Sequence, residues 1–308
     1  MGYWPPALTA RPPTGEGRYA PVNGLDMYYE VHGSGRPLVL LHGGMTTIDL
    51  AFGDLVRTLA YGRQVIAIEQ QAHGHTADID RTLSYERMAD DTAELLRQLG
   101  VERADFFGFS MGAATTLQVA LRHPRLVRKQ AIVSGGYCND GYNPGVVDRL
   151  IRVRDPVGDG WVPESLQQGF ERVATGPSQW HAAMTRMKEV IQGTREVGLD
   201  SLRAVDAHTL FVGGETGMVR RDHLEEMSRL VPRAHIKVFR GDDHDPAIIG
   251  RAAALLPAFL ETPVPRRRGD GPSFVNAARL ASQPWPGVVP RHDGRRRHAS
   301  SHPCGVQD

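Results

Sequence analysis

The five residues Gly108-Phe109-Ser110-Met111-Gly112 fit the pattern G-x-S-x-G. They stand between an apolar, strand-like run over residues 104–109 and a helix-like run over residues 113–122. A serine at such a sharp strand-to-helix turn has its hydroxyl pushed into the open, and the flanking glycines tolerate crowding that a Cβ would not. Backbone N–H groups at the start of the helix then face whatever negative charge develops on a substrate. With 34 glycines in the chain the bare pattern can arise by chance. The flanking strand and helix are what make it informative. A serine hydroxyl also needs a base to take its proton, and the chain offers 13 histidines.

The elements that must position these groups are legible from periodicity. Residues 1–20, rich in proline and glycine, read as an unstructured lead-in. Strands are expected at 25–32, 37–41, 64–69, 104–109, 129–134, 208–212 and 235–239. Between them, residues 83–100 carry helical periodicity and end on a glycine. Alternation of this kind implies βαβ crossovers and an α/β fold with a mostly parallel central sheet and flanking helices. Between 137 and 206 the strands stop and three amphipathic pieces appear, at 146–153, 164–174 and 179–191. These read as a helical cap inserted into a core formed by 21–136 and 207–262. Helices near 222–230 and 247–260 complete that core. No internal repeat is visible.

Composition narrows the function. The net charge is +1, but residues 263–308 carry eight arginines against three aspartates. That leaves 28 basic and 32 acidic residues in 1–262, so the body offers no stripe for nucleic acid. The Arg/Pro-rich remainder reads as a disordered tail. Two cysteines, Cys138 and Cys304, make no disulfide framework, and no stretch approaches the length of a membrane span. A cytoplasmic location is the expectation, with a small-molecule substrate, no nucleic-acid or membrane partner, and homodimerisation left open.

From about residue 20 to 262 the chain resembles the α/β-hydrolase fold family, in its capped esterase/lactonase-like branch. The resemblance rests on His42-Gly43-Gly44 after a strand, the segment Glu69-Gln70-Gln71-Ala72-His73-Gly74-His75-Thr76, the serine turn, and Gly241-Asp242-Asp243-His244. It implies that Ser110 is a nucleophile and that His244, in the loop after the last strand, is its base. It also implies an oxyanion hole made by the backbone N–H groups of Gly44 and Met111, each commonly worth about 3 kcal/mol to a tetrahedral intermediate. Gly44, lacking a Cβ, would leave room beside the substrate. His42 reads as structural, and a metal site at His42, His73 and His75 lacks an acidic or thiol ligand at a recognisable spacing. In the cap, Trp161, Phe170, Trp180, Met184 and Met187 read mainly as packing residues.

One expected group is missing. Members of the family place an aspartate shortly after the strand read here at 208–212, and Gly217 stands in that place. Such an acid orients the histidine and stabilises its charged form. Glu215 is the nearest replacement, though it lies two residues upstream and reaches the histidine only if the loop curls. Asp140 and Asp222 are the other candidates, the latter reading better as a helix N-cap. A Ser–His pair without an acid is the remaining choice.

These features point to an enzyme without metal or cofactor, a serine hydrolase of small, fairly apolar esters or lactones working through an acyl-enzyme. The alternatives are cofactor-free C–C bond hydrolysis and a catalytically impaired binder of small ligands. Restoring aspartate at 217 should raise the rate of a catalyst and do little for a binder.

Overall fold

In the strands, successive side chains point to opposite faces, and that alternation feeds two cores. In β3 (Arg36–Leu41), Val39 and Leu41 enter one core while Leu38 and Leu40 enter the other. In β5 (Ala104–Phe109), Phe106 goes one way and Phe107 and Phe109 the other. Each such buried Leu or Phe contributes roughly 1.5–3 kcal/mol. The computed structural model describes residues 17–194 and 197–263.

The sheet also holds β1 (Gly17–Val22), β2 (Leu25–His32), β4 (Arg63–Ile68), β6 (Val127–Val133), β7 (His208–Thr216) and β8 (Ala234–Asp242). Its order is β1-β2-β4-β3-β5-β6-β7-β8. The β1–β2 and β2–β4 pairs are antiparallel, and every later pair is parallel. One face is covered by α3 (Tyr85–Gln98), α4 (Met111–Arg122), α8 (Leu199–Ala204) and α9 (Arg221–Leu230). The other carries α1 (Ile48–Ala51), α2 (Leu55–Leu59), α10 (Ala247–Ala253) and α11 (Leu256–Glu261). This is the α/β-hydrolase architecture that the resemblance implies.

The three amphipathic pieces form α5 (Val146–Arg152), α6 (Glu164–Glu171) and α7 (Gln179–Gly193), between β6 and β7. Leu166, Phe170, Trp180 and Ala183 pack together over Ala72. The α7 helix is tied to the turn beneath it by Gln179 Nε2, which donates to the carbonyls of Gly74 (2.8 Å) and Thr76 (3.0 Å). Arg186 adds an ion pair with Asp78 at 3.0 Å.

The structure departs from the sequence reading in several places. Residues 17–20, expected in the lead-in, belong to β1, because pairing with β2 supplies hydrogen bonds that composition does not reveal. The helix expected over 247–260 is divided in two, with Pro257 in the first turn of α11. The α8 helix was not anticipated. Most consequential, β7 runs on to Thr216 and β8 to Asp242. Their ends are polar and exposed, so the apolar signal stops early while the pairing continues to Thr216 and Asp242. Of the tail expected from 263 onward, residues 264–308 lie outside the described residues.

Candidate active site

Ser110 sits where β5 gives way to α4, with φ 52° and ψ −114°. For a residue with a side chain that conformation costs about 1–3 kcal/mol, offset here by surrounding packing and hydrogen bonds. Its N–H donates to the carbonyl of Val133 at 2.8 Å, and its own carbonyl accepts from Ala113 at 2.9 Å. The turn is possible because Gly112 passes close to β3: a Cβ there would lie 2.0 Å from the Leu41 carbonyl oxygen. The turn holds the hydroxyl at the C-terminal end of the parallel strands, where open α/β sheets place their ligands.

The loop after β8 brings His244 to the serine. Ser110 Oγ and His244 Nε2 are 3.0 Å apart. On its other side, His244 Nδ1 lies 2.7 Å from Asp243 Oδ1. A carboxylate there calls for the proton on Nδ1, which leaves Nε2 free to accept from the serine hydroxyl. Asp243 is fully buried, whereas the His244 side chain is 16% exposed. The Asp243 carboxylate also accepts the backbone N–H groups of Met218 (2.8 Å, on Oδ1) and Val219 (2.9 Å, on Oδ2).

The acid candidates named from sequence do not reach this histidine. Glu215 is exposed on the extended end of β7, and the strand does not curl. Asp140 is exposed in a short 3-10 turn, Asn139–Gly141. Asp222 pairs with Arg220 at 2.9 Å and lies inside α9, whose N-cap is Arg220 rather than Asp222. Asp243 is not among the acids that the sequence points to. Its clue was adjacency to His244, and sequence periodicity gives no indication that neighbouring side chains will turn toward each other. The expectation for aspartate at 217 is reversed as well. A Cβ on Gly217 would lie 2.0 Å from Asp243 Oδ1, in the space the carboxylate occupies.

The loop after β3 runs beside the serine, with Gly43 against Phe109 and Ser110. Two buried histidines hold its shape. His42 donates from Nδ1 to the Gly43 carbonyl (2.7 Å) and accepts the Gln70 N–H on Nε2 (3.1 Å). His73 donates from Nδ1 to the Gln71 carbonyl (2.9 Å) and accepts the Met45 N–H on Nε2 (3.1 Å). Burial, helped by the neighbouring His73, lowers His42 to a pKa of about 3, and burial lowers His73 as well. Both rings are neutral, with each nitrogen already committed. His75 is turned to Glu69 at 2.9 Å. These three rings therefore do not converge as metal ligands.

Among the described residues, Asp242, Asp243 and His244 are the one group of three whose ligand-type atoms all lie close together. The Asp243 oxygens and Asp242 Oδ1 already accept hydrogens from this same loop and from residues 218 and 219.

Space beside Gly44 is filled from the cap, contrary to the room expected there. A Cβ on Gly44 would lie 2.8 Å from Met187 Sδ and Cε. Met187 joins Leu83, Tyr85, Met88, Met111 and Val190 in an apolar cluster. Phe170 and Trp180 are packing residues, as expected, and the Phe170 ring is 6.0 Å from that of His73.

A family model described as the alpha/beta hydrolase fold matches residues 36–158. Among characterised proteins, the chain is similar to the non-heme chloroperoxidase CPO-A1 of Kitasatospora aureofaciens. The two are 25% identical over 256 residues, covering 74% of this chain and 91% of that one. Among solved structures it is similar to Est816, described as an N-acyl homoserine lactone degrading enzyme. That match has 24% identity and a TM-score of 0.63, and covers 79% of this chain and all of that one. It is also similar to a meta-cleavage product hydrolase of Pseudomonas fluorescens IP01, at 16% identity and a TM-score of 0.68, covering 80% of this chain and 97% of the other. At these identities the structural likeness speaks to the fold.

Proposed function

We propose that this chain, which has the α/β-hydrolase fold and matches that fold's family model over residues 36–158, is a serine hydrolase acting on small, fairly apolar carboxylic esters or lactones. The observation that carries this reading is the 3.0 Å contact between Ser110 Oγ and His244 Nε2 at a strained strand-to-helix turn. Ser110 Oγ bonds to the acyl carbon while its proton passes to His244 Nε2. The resulting oxyanion is met by the N–H groups of Gly44 and Met111. Collapse breaks the bond to the leaving oxygen, which takes the proton from His244. Water then attacks the acyl-enzyme through the same base and restores the serine. The apolar cluster around Met111 and Met187 favours an acyl group without charge.

The test is labelling by a fluorophosphonate serine probe, read by intact mass, beside a Ser110→Ala control. Stoichiometric labelling of the parent alone is expected. A folded parent that stays unlabelled would sink the hydrolase reading in favour of ligand binding.

A further inference from the structure

The segment 241–244 contains a contact between neighbours in sequence that the chain goes to some length to make. Adjacent side chains ordinarily diverge, yet Asp243 and His244 meet at 2.7 Å. The Asp243 backbone is fixed at both ends: its N–H donates to the Thr216 carbonyl (2.9 Å), and its carbonyl accepts from Ser134 Oγ (2.5 Å). Its carboxylate rests on the N–H groups of Met218 and Val219. That cradle is in turn tied to the segment leading into the cap. Asn143 Nδ2 donates to the Gly217 carbonyl (2.7 Å), Asn143 N–H to the Met218 carbonyl (2.7 Å), and Arg220 N–H to the Gly141 carbonyl (2.8 Å).

Position 217 faces this carboxylate. Gly217 has φ +125°, a conformation that side chains rarely adopt. A Cβ there would fall 2.0 Å from Asp243 Oδ1 and 2.6 Å from its Cγ. One carboxylate fits between the two loops, and it comes from 243.

We propose that Asp243 is the residue that positions His244, and that Gly217 is the space which allows it to do so. This inference rests on the hydrolase reading for its kinetic consequences, though not for the hydrogen bond itself. An acid supplied by the residue next to the histidine holds the imidazole with its proton on Nδ1, so Nε2 stays available to Ser110. The two positions are then coupled: filling 217 displaces the acid, and once the acid is gone a side chain at 217 has no orienting carboxylate left to displace, although the backbone at φ +125° still disfavours it.

The experiment compares fluorophosphonate labelling rates of the parent, Asp243→Asn, Gly217→Ala, their double variant and Glu215→Gln. An amide in place of the acid of a Ser–His–acid triad lowers the rate by up to about 10⁴-fold through the wrong tautomer. Asp243→Asn is accordingly expected to label at least about a hundredfold more slowly, and Glu215→Gln to stay within about twofold of the parent. Gly217→Ala should lose tenfold or more in the parent, but less than about threefold when added to Asp243→Asn, since the two act through one group.

A purely structural role would not move the imidazole tautomer, so the ¹⁵N shifts of His244 are recorded on the parent and on Asp243→Asn. They should report Nδ1–H in the parent and a swing toward Nε2–H in the variant. Parent-like labelling by Asp243→Asn, equal losses from Gly217→Ala in both backgrounds, or an Nε2–H parent would overturn the proposal. If the parent is not labelled at all, the hydrolase reading fails while the tautomer still judges Asp243. The parent spectrum also decides the matter if Asp243→Asn does not fold.

Discussion

At the scale of single residues, the site is defined by which groups are already occupied. Both ring nitrogens of His42 and of His73 are spent on backbone partners, so neither ring is available for acid–base work. His244 differs, with a carboxylate on one nitrogen and a hydroxyl on the other. Met187 matters for a separate reason. It lies over Gly44, so under the proposed hydrolase reading its size should set which acyl chains are accepted. Methylene-sized differences in such pockets are worth about 1–3 kcal/mol. Met187→Ala should therefore raise kcat/KM for butyrate and hexanoate esters relative to acetate, by about tenfold or more. A p-nitrophenyl ester series measures that ratio, and an unchanged ratio would remove Met187 from the acyl pocket.

At the scale of elements, buried neutral histidines couple loop geometry to pH. His42 in the loop after β3 is depressed to about 3 by burial and by His73. His223 on α9 falls to about 4 through burial and the nearby Arg220, and His208 on β7 to about 4 through burial and His235. In the unfolded chain each titrates near 6.5. Below that value the unfolded state binds protons that the folded state refuses, so stability is present above pH 6.5 and lost as pH falls toward 4. The slope approaches about 1.4 kcal/mol per pH unit for each such histidine. Urea titrations at pH 7.5, 6 and 5 should show falling stability, and His208→Gln should flatten the dependence. A flat profile in the parent would contradict the assignment.

At the scale of the whole molecule, the last described residues are part of the fold rather than the beginning of an appendage. Lys129, buried in β6, donates its amine to the carbonyls of Phe259 (2.7 Å) and Thr262. Arg63 pairs with Glu261, and Arg128 donates to the Leu260 carbonyl at 3.2 Å. Burial and the neighbouring Arg128 pull the Lys129 amine down to about 8, so its charge is held at a cost that these acceptors offset. A chain ending at 263 should keep the parent's thermal midpoint within a few degrees. A chain ending at 260 removes the Arg63 partner and the Thr262 carbonyl, and should melt several degrees lower, by roughly the 4–8 °C that 1 kcal/mol represents in a small domain or somewhat less here. Equal midpoints would show that these contacts contribute nothing. No helix among the described residues is long and apolar enough to cross a membrane.

The sequence by itself determined the alternation of strands and helices, the helical insertion between β6 and β7, and the turn that carries Ser110. Each of these is written in local periodicity or in a short pattern whose glycines answer to sterics. His244 was reachable because its loop follows the last strand. Tertiary structure alone decided which carboxylate meets His244. The ends of β7 and β8 are polar and solvent-facing, so hydrophobic patterning could not show that they pair as far as Thr216 and Asp242. That pairing carries Asp243 to the N–H groups of Met218 and Val219 and to the space Gly217 leaves open. A glycine that reads in sequence as a lost carboxylate is, in three dimensions, the room another one occupies. Periodicity records which face a residue is on, whereas the meeting of these two loops depends on a carboxylate held by backbone N–H groups and on a glycine conformation, neither of which hydrophobic patterning encodes.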